Sequence, residues 1–108
     1  MLSELIYTAN GGGGANPTLI QSWITNGAIS YSYTIDPSKT YLFVCTYIRS
    51  VSDATSSNVI YLIKNGTKTV LTGTDNTNIG TVSLTGTTLT YQRSSVTYGV
   101  ASYFIQLD

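Results

Sequence analysis

Side chains that could act as a general acid or base at neutral pH are scarce in this sequence. Its 108 residues include no histidine, and the acidic side chains number only five. Serine or cysteine nucleophiles need a neighbouring base, a role that histidine usually fills. Asp36, Asp53 and Asp75 fall in predicted turns or loops, and their spacing does not suggest the paired carboxylates of a glycosidase. The sequence therefore predicts a chain that is not an enzyme.

The residues that could hold a metal, phosphate or cofactor are also few. Cys45 is the single cysteine, so no internal disulfide or zinc-type ligand set can form, and its mid-strand position between Val44 and Thr46 predicts a buried, inert thiol. The glycine run at 11–14 lacks the Lys-Ser/Thr ending of a phosphate-binding loop. Asp75 to Asn78 could contribute to a calcium site, but a solvated loop explains these residues better. We expect no metal and no cofactor.

Charge and hydropathy exclude several partners. Five basic and five acidic residues give a net charge of zero, which provides no electrostatic basis for binding nucleic acid. No apolar run approaches the roughly 20 residues that a membrane-spanning helix needs, so we expect no membrane insertion. The opening residues Met1 to Tyr7 have neither the basic start nor the apolar stretch of a signal peptide.

The overall composition indicates β structure. Serine, threonine, asparagine and glycine make up nearly half of the chain, and tyrosine, with nine copies, is the main aromatic residue. Threonine and tyrosine suit the pleated, half-buried surface of a sheet, whereas alanine, glutamate and lysine, which favour helices, are scarce. The solvent-facing groups are therefore expected to be hydroxyls and amides instead of charges.

Period-two alternation and turn signals divide the chain. An apolar strand over 2–8 and the glycine-rich loop form an N-terminal segment, 1–17, and residues 18–108 form the sandwich domain. From Ile29 to Ile35, apolar and hydroxyl side chains alternate strictly, which indicates a strand with one buried face. Thr40 to Ile48 is apolar on both faces, which predicts a central strand. Asn65-Gly66 predicts a two-residue hairpin turn.

These segments predict an all-β fold. With about eight or nine strands separated by short turns, the sequence favours a two-sheet antiparallel sandwich. A jelly-roll-like arrangement is our expectation, although alternation cannot order the strands and other Greek-key sandwiches stay open.

Recognition by surface contact is the activity that this composition favours. Tyrosine, serine, asparagine and glycine are typical of adaptable binding loops. We expect contact residues in the loops 49–58, 73–78 and 93–97. Trp23 is the best candidate for a sugar-stacking platform, the competing interpretation being a core tryptophan. The candidate ligand-binding residues are Trp23, Arg49, Asp53, Asn58, Asp75, Asn76, Asn78 and Arg93.

One stretch carries a family resemblance. An Asp-Pro turn is followed by Lys39-Thr40-Tyr41-Leu42-Phe43-Val44, then by a serine-rich loop, hydroxyl-rich hairpins and a terminal strand with almost no tail. From about Thr18 onward this style resembles the small C-terminal β-sandwich, receptor-binding head domains of bacteriophage and prophage tail-fibre and baseplate proteins. The resemblance implies a homotrimeric viral protein that contacts bacterial surface glycans or proteins. It also implies localisation in a virion, made in the host cytoplasm and released by lysis.

The resemblance transfers no binding residue, because the binding loops of these heads vary. Such heads normally follow a long shaft, so either a shaft precedes this sequence or the chain is a free-standing accessory protein. A structural capsid or tail decoration protein, bound only to other virion proteins, is an alternative. A carbohydrate-binding module of a secreted protein would need exposed, coplanar aromatics near Trp23, and an adhesin or pilin-like subunit would need a signal peptide.

Overall fold

The computed structural model describes residues 17–48, 57–74, 79–94 and 99–108. This part of the chain contains eight strands and no helix. The strands are β1 (Thr18–Thr25), β2 (Ile29–Thr34), β3 (Tyr41–Ile48), β4 (Ser57–Lys64), β5 (Thr67–Thr72), β6 (Thr81–Thr85), β7 (Thr88–Arg93) and β8 (Gly99–Gln106).

The strands form two antiparallel sheets. The larger sheet has five strands in the order β1-β8-β3-β4-β5, and the smaller has three in the order β2-β7-β6. The predicted all-β, two-sheet sandwich is therefore confirmed. The pairs β1–β8 and β2–β7 lie in opposite sheets, a nested arrangement like that of a jelly roll. In contrast, β3, β4 and β5 follow one another as a meander within the larger sheet.

Two strand predictions are confirmed by burial. Along β2, Ile29 is buried and the tyrosines are half-buried, whereas the intervening serines and threonine are exposed. Strand β3 lies in the middle of the larger sheet, as its two apolar faces predicted. Phe43 and Cys45 face the core, and Leu42 on the opposite face is also fully buried.

The core between the sheets is rich in aromatic rings. The Phe43 ring centroid lies 4.9 Å from that of Tyr91 and 5.3 Å from that of Phe104. These residues come from β3, β7 and β8, so they join the two sheets. A smaller cluster of Leu42, Ile105 and Leu107 lies on the outer face of the larger sheet. Tyrosine and phenylalanine thus supply much of the apolar surface whose burial stabilises the sandwich.

Both predicted tight turns are present. Asn65 and Gly66 have φ values of 54° and 70°, the left-handed backbone that an Asn-Gly hairpin turn requires. In the Asp36 turn, the Lys39 amide donates to the Asp36 carbonyl at 2.9 Å, with proline at the second position. The Asp36 carboxylate also accepts hydrogen bonds from the Ser38 hydroxyl and amide, and these bonds lower the pKa of Asp36.

Several expectations lie outside the described residues. They include the N-terminal strand over 2–8, the glycine run at 11–14, and most of the three loops in which contact residues were expected. The proposed boundary at residue 17 stays a prediction.

Candidate functional site

The structure describes three of the predicted contact residues: Trp23, Asn58 and Arg93. The other five stay predictions, because they lie outside the described residues. They are Arg49, Asp53, Asp75, Asn76 and Asn78. Asn58 is the second residue of β4 and is exposed. Trp23, Asn58 and Arg93 lie on three different strands, β1, β4 and β7.

Trp23 packs against the aromatic core. Its indole meets Tyr31 and Tyr91 edge-on, with ring centroids 5.0 Å and 5.1 Å away, and stacks on Phe43 at 6.0 Å. The side chain is half-buried. Trp23 therefore packs in the core, as its competing interpretation predicted. Contact between a sugar and the accessible part of the ring stays a prediction.

Trp23 belongs to a short row of half-buried rings along one side of the sandwich. Trp23 is on β1, an edge strand of the larger sheet, and Tyr31 is on β2, an edge strand of the smaller sheet. Tyr33 continues the row, nearly parallel to Tyr31 at 6.4 Å. Partial burial, and secondarily the Tyr33 hydroxyl, raise the pKa of Tyr31. The row presents ring surface and hydroxyl groups without any charge.

Arg93, expected in the contact loop 93–97, is instead the last residue of β7 and is only 4% exposed. Its guanidinium donates hydrogen bonds to the Thr25 carbonyl at 3.3 Å and the Gly27 carbonyl at 3.1 Å. Arg93 therefore stabilises the turn between β1 and β2 by hydrogen-bonding it to β7. This placement gives Arg93 a structural task, and its contact with a ligand stays a prediction.

A cleft of about 670 Å³ opens beside Arg93. Its lining includes Ser30, Gln92 and Thr81, which form one cross-strand row on β2, β7 and β6. Ala28 and Arg93 are among the residues that complete the lining. The volume is in the range of small-molecule sites, and the polar groups that line it can donate and accept hydrogen bonds.

The outer face of the smaller sheet is a feature that the sequence reasoning missed. All outward positions of β2, β6 and β7 carry a hydroxyl or an amide. The alternation in β2 indicates that one face of this strand carries hydroxyl groups. That this face lies beside the polar faces of β7 and β6 follows only from the strand order, which alternation does not determine. We call this surface the hydroxyl face; it consists of Ser30, Ser32, Thr34, Thr81, Ser83, Thr85, Thr88, Thr90 and Gln92.

The buried polar residues of the core are arranged for packing. Cys45 is a free, buried thiol, as predicted, and desolvation raises its pKa to about 12. Tyr91 and Ser102 lie beside it, with their oxygens 2.8 Å apart. Because a thiol is nucleophilic only as the thiolate, this environment leaves Cys45 unreactive at neutral pH.

The two aspartates that the structure describes both accept backbone hydrogen bonds. Asp36 accepts from Ser38, and Asp108 accepts from the Thr40 amide at 2.8 Å. Within the described ranges, histidine, cysteine and acidic side chains nowhere gather in the threes that a metal site would need. The same ranges contain no helix with the length and hydropathy to cross a membrane.

Comparison of the chain with family models, with curated proteins and with solved structures gave no match. The resemblance to phage tail-fibre heads therefore stays a prediction.

Proposed function

We propose that this chain is a non-enzymatic module of a phage or prophage particle, a tail-fibre-like domain that binds a glycan or protein on the host surface. The observation that carries the proposal is the uncharged, hydrogen-bonding exterior of the smaller sheet, with a cleft at one end of it. Such a surface suits recognition of a polar, neutral partner. The virion location, with synthesis in the host cytoplasm and release by lysis, is part of the same proposal.

A homo-oligomer, with a trimer as first choice, completes the proposal. The edge strand β1 carries no charged side chain, and two of its aliphatic residues are well exposed, Leu19 at 55% and Ile24 at 75%. In proteins that stay monomeric, exposed edge strands usually carry lysine or other charged residues that prevent association. A second subunit packed on β1 would bury these aliphatic side chains.

The experiment is a binding screen with the labelled, purified chain. It is incubated with a panel of bacterial strains, with an array of bacterial surface glycans, and with purified phage particles. We expect saturable binding to particular strains or glycans, and glycans recovered with unchanged mass, as required for a module that does not transform its ligand.

The other outcomes assign the chain differently. Binding to particles without binding to any cell or glycan would indicate a structural decoration protein. Binding to polysaccharide but to no bacterium would favour a carbohydrate-binding module, although Trp23 and Tyr31 are half-buried and meet edge-on instead of forming an exposed, coplanar platform. Glycans recovered in shortened form would contradict the non-enzymatic part of the proposal.

A further inference from the structure

The hydroxyl face is a regular grid. Its cross-strand rows, read from the strand register, are Ser30–Gln92–Thr81, Ser32–Thr90–Ser83 and Thr34–Thr88–Thr85. Thr90, at the centre, is half-buried and the other eight residues are exposed. Neighbouring strands lie about 4.8 Å apart, and alternate residues along a strand are about 6.7 Å apart. The polar groups therefore repeat at short, fixed intervals in two directions.

The chemistry of the grid favours a partner rich in hydroxyl groups. Each serine or threonine hydroxyl donates one hydrogen bond and accepts two, and the Gln92 amide both donates and accepts. A sugar ring offers the same mixture of donors and acceptors on adjacent carbons. Threonine methyl groups at four grid positions outside the central residue can also contact the apolar C–H surface of a sugar.

The absence of charged side chains on the grid favours neutral glycans over acidic ones. None of its nine positions carries an acidic or basic side chain. The flanking strands β2 and β6 carry none either, although edge strands are commonly protected by charged residues. Over the grid, a sulfated, phosphorylated or carboxylated sugar would lose hydration without gaining a cation. Arg93 lines the adjoining cleft, but it is only 4% exposed and its guanidinium donates to the Thr25 and Gly27 carbonyls. A neutral glycan is the complementary partner.

The cleft continues the grid at one end. The row Ser30–Gln92–Thr81 belongs to both, and Ala28 contributes apolar surface beside it. A sugar bound in the cleft would have the following sugars of its chain over the second and third rows. The shared row would thus let the cleft and the hydroxyl face bind one continuous chain.

We propose that the hydroxyl face and the adjoining cleft bind a neutral, hydroxyl-rich polysaccharide. This inference rests on the proposed function and names the ligand class and the surface. Binding then depends on many neutral hydrogen bonds and is insensitive to added salt, in contrast to recognition of an acidic glycan.

The test compares two sets of substitutions. The grid variant is S32A/T90V/S83A, which removes the three hydroxyls of the middle row while preserving side-chain size closely. The matched control is S22A/T69V, two exposed positions on the outer face of the larger sheet. Circular dichroism and thermal unfolding check folding. A second grid variant, Gln92→Glu, places one charge in the first row without changing its size and serves if the triple variant is unfolded.

We expect the wild-type chain and the control to bind neutral glycans equally, with little effect of NaCl. The grid variant should bind about tenfold or more weakly, because it has lost three hydroxyl groups that could hydrogen-bond to the ligand. Wild-type binding to cells or glycans that the grid variants leave unchanged would overturn this inference and leave the proposed function standing. Preference for acidic glycans would overturn it too. Failure of the wild-type chain to bind any cell or glycan would overturn both.

Discussion

At the scale of single residues, the Tyr91 hydroxyl links β7 by hydrogen bonds to Ile79, which precedes β6, and to Ser102 on β8. The Tyr91 hydroxyl donates to the Ile79 carbonyl at 2.7 Å. Because that hydroxyl has one proton, the 2.8 Å contact with Ser102 is made by the Ser102 hydroxyl donating to Tyr91. Buried polar groups that lose such a partner bear the full cost of desolvation.

We expect Tyr91→Phe to lower the free energy of unfolding by about 1–3 kcal/mol, since it strips the Ile79 carbonyl and Ser102 hydroxyl of a buried partner. Tyr33→Phe is the control, because that tyrosine is half-buried and its loss of a hydroxyl should cost less than about 0.5 kcal/mol. Urea unfolding at equilibrium measures both. Equal effects of the two substitutions would contradict the role given to the Tyr91 hydroxyl.

The thiol of Cys45 makes stability depend on pH in the alkaline range. Desolvation raises its pKa to about 12 in the native state, whereas the pKa of a thiol in the unfolded chain is about 8.5. Above the unfolded value, the unfolded chain releases a proton that the native chain retains, so unfolding becomes easier. The contribution of this thiol is complete below about pH 8.5 and is lost as pH rises towards the native value.

We therefore expect the free energy of unfolding to fall between these two pKa values, by about 1.4 kcal/mol per pH unit from Cys45. Cys45→Ala should remove that part of the slope, whatever its effect on stability at neutral pH. Denaturant unfolding at a series of alkaline pH values gives the slope. An identical slope in the variant would show that other groups cause the pH dependence.

At the scale of elements, Lys68 connects the open edges of the two sheets. From β5 of the larger sheet, its ammonium group donates to the Val82 carbonyl of β6 at 2.7 Å and lies 4.9 Å from the centre of the Tyr61 ring. A charged donor near an edge strand also discourages pairing with another chain. Lys68 thus closes one side of the sandwich, as the ring contact between Trp23 and Tyr31 closes another.

Replacing Lys68 with methionine should lower the free energy of unfolding by about 1–2 kcal/mol, because the hydrogen bond and the cation–π contact are both lost. Lys64→Met is a close control, since Lys64 lies on the same hairpin but is exposed, and it should change stability by less than about 0.5 kcal/mol. Thermal and urea unfolding compare the two. A larger loss in the Lys64 variant would argue against the bridging role of Lys68.

The sequence predicted strands better than it predicted the surface. Alternation in β2 and the Asn65-Gly66 turn depend on neighbours in the chain, so their effects are visible locally. The burial of Arg93 depends on carbonyls of Thr25 and Gly27, far away in sequence, and a charged residue at a strand end ordinarily turns to solvent. The hydroxyl face likewise needs the register of three strands, which alternation alone does not determine.

At the scale of the whole molecule, the two sheets present different outer surfaces. The smaller sheet exposes the uncharged hydroxyl face, whereas the larger sheet carries the aliphatic cluster of Leu42, Ile105 and Leu107 on its outer side. Aliphatic side chains at the β1 edge of the larger sheet extend this apolar character into solvent. Under the proposed function, ligand recognition would use one side of the sandwich and subunit packing the other.

That division predicts an oligomer whose interface includes β1. Light scattering after size-exclusion chromatography should give the mass of a trimer for the wild-type chain. Ile24→Lys should yield a monomer with an unchanged circular dichroism spectrum, because a lysine at this exposed edge position opposes association. Thr69→Lys adds the same charge on β5 and should stay oligomeric. A wild-type chain that is monomeric at high concentration would refute the oligomer, while a trimeric Ile24→Lys variant would place the interface elsewhere.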